Sequence, residues 1–298
     1  MWRKNLRNAL GCRVEEGKEI ASLSALGVGG RAEFFAEPSD IGDVREIFRL
    51  RQGMGFPLYI LGGGTNVVFA DGVLEGVVLS ARRMSAARWE DEELLTAEAG
   101  CPLSLVVSGA AERELTGAEF ARGIPGTVGG AVAGNAGAGG RSVGELLEEV
   151  TTVENDGGVR RWGRGDFGYS YRRCSLFPGR FLAGCRMRFR RASREEIERN
   201  EETFRRARAG QPQGVKSAGC VFKNPPEDSA GRLLDVSGCK GLRVGGAAVS
   251  EAHANFIFNA DRAAGEDVRK LMELCRDTVF RKTGVLLEPE IKFLGFSL

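Results

Sequence analysis

Apolar positions recur along this chain with two different periods. In PSDIGDVREIFRL (38–50), Ile41, Val44, Ile47 and Phe48 follow helical spacing behind Ser39 and Asp40, two good N-terminal caps; a helix of about three turns is expected. PLYIL (57–61) and NVVFA (66–70) are short apolar runs on either side of three glycines, which predicts strand, tight loop, strand. GCRMRFR (184–190) alternates Cys185, Met187 and Phe189 with Arg186, Arg188 and Arg190, the pattern of a half-buried strand. SREEIERNEETFRRARAG (193–210) opens with a capping box, Ser193 to Glu196, and continues highly charged, so a solvated helix near a domain boundary is predicted. AGRLLDV (230–236) reads as a helix. A longer one over 266–282 carries Val268, Leu271, Cys275 and Val279 on one face, stops at KTG, and is followed by VLLEPEIKFLGF (285–296) as a strand.

Composition adds limits to this mixed α and β pattern. With 298 residues, 42% of them hydrophobic, the chain can bury a sizeable core. The 42 Lys and Arg nearly balance the 40 Asp and Glu, so no global field argues for nucleic acid or a membrane surface as partner; a small molecule is expected. No signal-peptide or transmembrane run is read from the sequence, and a cytoplasmic protein is expected. The seven cysteines (12, 101, 174, 185, 220, 239 and 275) are scattered, none in a Cys-x-x-Cys spacing, and there is one histidine. That argues against zinc or iron-sulfur sites and for reduced, mostly structural thiols. No internal repeat is present.

Glycine is the outlier: 43 residues, roughly twice the usual share. It concentrates in LGGGTNVVFADG (61–72) and GIPGTVGGAVAGNAGAGG (123–140). A P-loop is excluded, because the one Gly-Lys pair, Gly17-Lys18, is followed by Glu19. GVGGRA (27–32) has the spacing of a dinucleotide fingerprint, yet EFFAEP follows where that motif needs a helix, so a Rossmann fold is rejected. Consecutive glycines before Thr65 and Asn66 can aim several backbone N–H groups at one point, a nest suited to pyrophosphate. Either loop alone also fits a ligand-free turn; two in one chain, the second with IPGT (124–127) fixing its approach, favour a ligand.

LGGGTNVVFADG, EFARGIPGTVGGAVAGNAG, FGYSYRRCSLF, SAGCVFKNP, GLRVGGAAVSEAHANFIFN and LEPEIKFLG occur in one order and spacing. In this the chain resembles the UDP-N-acetylenolpyruvoylglucosamine reductases, from about residue 20 to the C-terminus, without the insertions of their longer subtype. The resemblance implies an α+β fold: a two-lobed, non-Rossmann FAD-binding domain of the vanillyl-alcohol oxidase type, plus a C-terminal α+β substrate-binding domain. Dividing the chain at the charged helix gives residues 1–190 (lobes about 1–83 and 84–190) and 191–298, with the C-terminal strand returning to the active site.

It also implies a reaction. NADPH reduces non-covalently bound FAD and leaves, and UDP-N-acetylglucosamine enolpyruvate takes its place and is reduced to UDP-N-acetylmuramate for peptidoglycan. Hydride addition puts charge beside the carboxylate, so a cation, a hydrogen-bonding acid and a proton donor are required. By the resemblance these are Arg172, with Arg173 as competitor; Glu290, with Glu288 as competitor two residues away on the same strand face; and Cys220. Gly62, Gly63, Gly64, Thr65, Asn66, Ile124, Gly126, Thr127 and Gly130 are the implied FAD contacts. Tyr171, Lys223, Asn224 and His253 are the implied substrate contacts, and no metal is expected.

Three departures from the family bear on these roles. Cys220 stands where serine is usual; a thiol, with a pKa of about 8.5, is the stronger acid, but an ionised thiol beside Arg172 or Lys223 has no proton to give. NAGAGG (135–140) lacks the family's aromatic, and Gly210 replaces a lysine whose charge Lys216 or Lys223 would supply. Two other readings compete: a carbohydrate-oxidising flavoenzyme of the same superfold, and a non-catalytic flavin or UDP-sugar binder. The lone histidine lies outside both glycine loops, against a histidine-linked flavin, and a mere binder has no need of Arg172, Cys220 and Glu290 together.

Overall fold

The computed structural model describes residues 2–9, 13–212 and 214–296; Cys12 lies outside them. The chain forms two compact units. The first takes the N-terminal segment through Glu15, Phe34–Gly63 and Gly76–Ala209; the second takes Glu16–Glu33, Gly64–Glu75 and the chain from Gly210 onward.

The first unit holds an antiparallel five-stranded sheet in the order Val159–Gly163, Leu147–Val153, Phe181–Arg188, Leu94–Glu98, Ala87–Trp89. Alternation decides its faces as expected: Cys185, Met187 and Phe189 are buried, while Arg186 and Arg188 reach out to Glu90 (2.6 Å) and Glu148 (2.7 Å). Helix Ile41–Met54 begins at Asp40, whose Oδ1 accepts from the Gly42 and Asp43 N–H groups at 2.7 and 3.1 Å. Its apolar face, Val44, Ile47 and Phe48, packs in one cluster with Phe34, Ala36, Val77 and Leu79. Strand Leu58–Leu61 pairs in parallel with Val77–Ser80.

The second unit is built on an antiparallel sheet in the order Ser217–Cys220, Phe256–Asn259, Ala247–Val249, Arg243–Val244. Helix Gly265–Thr283 buries Val268, Leu271, Cys275 and Val279 in a core shared with Leu233 and Leu234 of helix Ala230–Val236. Leu26, Val28 and Val68, from far earlier in the chain, fill the same core. Strand Lys292–Leu294 pairs in parallel with Val67–Phe69.

The runs flanking the triple glycine are strands, as their apolar pattern predicts, and they pair with different partners in different units. One expectation is revised, that of a continuous C-terminal strand. The C-terminal segment is strand only at Lys292–Leu294, with one isolated bridge, Pro289 to Phe222, upstream; proline has no N–H to continue a ladder. The last passage of the chain between the compact units falls at 209/210. The charged helix Arg194–Ala207 stays with the first unit because it buries Ile197, sets Phe204 edge-on to Phe120, pairs Glu201 with Arg122, and donates from Asn200 to Glu119 at 3.2 Å. Among the described residues no helix is long and apolar enough to cross a membrane.

Candidate active site

In the first unit, strand Leu58–Leu61 delivers Gly62 and Gly63 against the segment Gly126–Thr127. A Cβ on Gly62 would lie 2.7 Å from Thr127 Oγ1, and one on Gly63 would lie 2.7 Å from the Gly126 Cα. Backbone therefore meets backbone, an approach only glycine permits. Arg82 Nη2 holds the loop through the Gly63 carbonyl (3.1 Å), and Leu103 N–H holds Gly126 through its carbonyl (3.0 Å). Thr127, 7% exposed, has a buried hydroxyl without a protein partner, with Gly130 beside it. A buried hydroxyl needs a partner. A side-chain-free cradle with an orphaned hydroxyl fits the phosphate groups of a dinucleotide cofactor such as FAD. Ile124 is half-buried against the core of this unit. Gly64, Thr65 and Asn66 belong to the second unit, where Asn66 Nδ2 donates to the Glu290 carbonyl (3.1 Å) and the Asn66 carbonyl accepts from Lys292 N–H (3.1 Å).

Arg172, also in the first unit, has a left-handed backbone (φ +57°) and donates from Nη1 to the Gly137 carbonyl at 3.0 Å. Its guanidinium lies 5.4 Å from the centre of the exposed Tyr171 ring. Arg173 is exposed on the following strand, so burial distinguishes the two arginines where spacing could not. Sequence reasoning missed Asn135. This side chain, 5% exposed, donates to the Ser170 carbonyl (2.8 Å) and accepts from Gly144 N–H (2.9 Å), tying the glycine-rich segment to the strand that leads to Arg172.

In the second unit, Cys220 ends strand Ser217–Cys220 opposite Phe256. Of the six described cysteines it alone is not buried; the others are core residues, and burial pushes the thiols of Cys101, Cys174 and Cys185 up. Val221 follows, its carbonyl accepting from Glu290 N–H at 2.8 Å, and Lys223 N–H donates to the Glu288 carbonyl at 2.9 Å. The chain thus joins Cys220, Lys223 and Glu290 within a few backbone bonds. The Glu288 side chain is 70% exposed and pairs with the Lys223 ammonium, whereas Glu290 is half-buried. Asn224 Oδ1 accepts from Ala230 N–H (3.0 Å) at the start of helix Ala230–Val236. Half-buried His253 accepts at Nδ1 from Asn255 N–H (3.3 Å) and sets its ring edge-on to Phe256. Burial, reinforced by Lys240, holds its imidazole below the ordinary range, so it is neutral near pH 7. Among the described residues no cluster of His, Cys, Asp and Glu could hold a metal.

Known proteins match both units. Residues 211–294 match the family described as UDP-N-acetylenolpyruvoylglucosamine reductase, C-terminal domain, and residues 32–163 match an FAD binding domain. The reductase of that name from Caldicellulosiruptor saccharolyticus is 38% identical over 93% of this chain and 91% of its own length. The one from Geotalea uraniireducens is 38% identical over 98% of both. Among solved structures, UDP-N-acetylenolpyruvylglucosamine reductase from Thermus caldophilus superimposes with a TM-score of 0.83, at 35% identity over 95% of this chain and 99% of that one.

Proposed function

Since the chain belongs to the UDP-N-acetylenolpyruvoylglucosamine reductase family, we propose that Arg172, Cys220 and Glu290 are the groups with which it performs that family's reaction. The protein is an FAD-dependent oxidoreductase that uses NADPH to reduce UDP-N-acetylglucosamine enolpyruvate to UDP-N-acetylmuramate in peptidoglycan synthesis. Its fold is α+β with an FAD-binding domain. Bound FAD supplies the two-electron relay between NADPH and the enolpyruvyl double bond.

The flavin would be held where Gly62, Gly63, Gly126 and Gly130 leave the backbone bare, with the Thr127 hydroxyl free to meet a phosphate and Ile124 packed beside them; Gly64, Thr65 and Asn66, the next residues of the chain, are the remaining FAD contacts. Lys223, Asn224, His253 and Tyr171 are the contacts for the nucleotide sugar. Once hydride has reached the terminal enolpyruvyl carbon, negative charge develops beside the carboxylate. Arg172 balances that charge and Glu290 hydrogen-bonds to it. The Cys220 thiol gives its proton to the neighbouring carbon, completing the lactyl ether. NADPH and the nucleotide sugar are the partners; with net charge +2, neither nucleic acid nor a membrane is one, and the reaction belongs to the cytoplasm.

The observation that carries the assignment is Cys220 itself, the described cysteine outside the core, one residue from the peptide that bonds Glu290. The test is anaerobic and uses flavin absorbance. NADPH should bleach the wild-type flavin and the enolpyruvyl UDP-sugar should restore it. Cys220→Ala should bleach normally and recover at least about 100-fold more slowly, with Cys220→Ser restoring recovery. Normal recovery in Cys220→Ala would refute the donor role.

A further inference from the structure

Phe222 is buried, 1% exposed, between two segments that treat it differently. On one side it faces Pro289 in an isolated antiparallel bridge. The ladder bonds there are made by its neighbours, the Val221 carbonyl to Glu290 N–H and Lys223 N–H to the Glu288 carbonyl. In an antiparallel pair this geometry turns Phe222's own N–H and C=O to the opposite side. There the regular pairing with Phe256–Asn259 has already ended, at Cys220 opposite Phe256.

The side chain of Asn255 meets both groups. Its Oδ1 accepts from Phe222 N–H at 2.9 Å and its Nδ2 donates to the Phe222 carbonyl at 2.8 Å. Its backbone carbonyl accepts from Val221 N–H at 2.9 Å. Asn255 is 2% exposed, so no solvent stands in for these bonds. A carboxamide has the donor and acceptor of a peptide unit, and here it serves as one more rung of the ladder after the backbone has run out.

We propose that Asn255 is a positioning residue for the reaction, fixing Cys220 and Glu290 together. Its three bonds hold residues 221–222, the peptide that directly follows Cys220 and to which the Glu290 N–H is attached. This rests on the assignment of Cys220 and Glu290 above. Asn255 touches neither thiol nor carboxylate through any bond described; it acts through the strand between them. With its amide removed, two buried polar groups of Phe222 lose their partners and the segment shifts to find others.

The test is the two flavin half-reactions in the intact holoenzyme, for Asn255→Ala alone and in a Cys220→Ala/Glu290→Gln background, with bound flavin read from the spectrum. Asn255→Ala should leave reduction by NADPH unchanged and slow recovery with the UDP-sugar about 100-fold, the scale of a 1 Å misplacement. In the double background it should slow recovery further by no more than about twofold, because the groups it positions are gone. If Asn255→Ala loses its flavin or fails to fold, Asn255→Ser is put through the same cycle. Equal slowing of both half-reactions, slowing of neither, or an undiminished loss in the double background would overturn the proposal. Wild-type recovery in Cys220→Ala/Glu290→Gln itself would overturn the catalytic assignment, and this inference with it.

Discussion

Gly62 and Gly63 are neighbours with different tolerance for a methyl group. On Gly62 the new Cβ meets a hydroxyl that can rotate; on Gly63 it meets the Gly126 backbone. Overpacking of this kind costs about 1–3 kcal/mol. Gly63→Ala should therefore weaken FAD binding by about tenfold or more, and Gly62→Ala by less, in flavin titrations of the apoprotein. His253 allows a second residue-scale prediction, since it is the chain's one histidine. Its folded pKa lies below the unfolded value of 6.5, so the unfolded chain takes up the proton first as pH falls. Stability is then unaffected by this group above about pH 7 and declines as pH drops through 6.5 toward the lowered folded value. Denaturant unfolding at pH 7.5 and 5.5 should show a drop that His253→Gln reduces. Residues with a distinctive chemistry, such as Cys220 in SAGCVFKNP or the glycines of the two loops, stand out in the sequence by residue type alone. Asn135 and Asn255 do not, because an asparagine's partners are chosen by the fold: Ser170 is 35 residues from Asn135, and Phe222 is 33 from Asn255.

Elements with a strong period were readable because their periodicity is the imprint of one buried face. Helix Ile41–Met54 starts after the predicted cap, and helix Gly265–Thr283 buries the predicted row. The cap of the latter was hidden. Asp71 accepts from the N–H groups of Gly265 and Glu266 at 3.0 and 3.1 Å from nearly two hundred positions away. Asp71→Ala should destabilise the protein by about 1–2 kcal/mol, and Asp71→Asn by less, as read by denaturant midpoints at fixed slope. Short strands were harder. LEPEIKFLG looked continuous, yet Pro289 limits it to one bridge and leaves Glu288 outward with Lys223 and Glu290 half-buried. Two residues of equal spacing are separated by what pairs with the proline between them.

At the scale of the whole molecule the chain passes between its two units five times, at 15/16, 33/34, 63/64, 75/76 and 209/210. The second core takes Leu26, Val28 and Val68 from the early segments, and strand Lys292–Leu294 finds its partner in Val67–Phe69. A fragment of residues 191–298 lacks Leu26, Val28 and the Val67–Phe69 strand, so it should show no cooperative unfolding by circular dichroism, although most of its own helices and strands are present. The amino-acid sequence alone determined the family, the two glycine loops, the main helices and the chemical types at Arg172, Cys220 and Glu290, since each is written in adjacent residues or in one period. Tertiary structure alone decided which arginine and which glutamate is sheltered, which asparagines hold the strands that carry them, and where one unit ends. Those are set by pairings between segments tens to hundreds of residues apart, and local spacing carries no record of them.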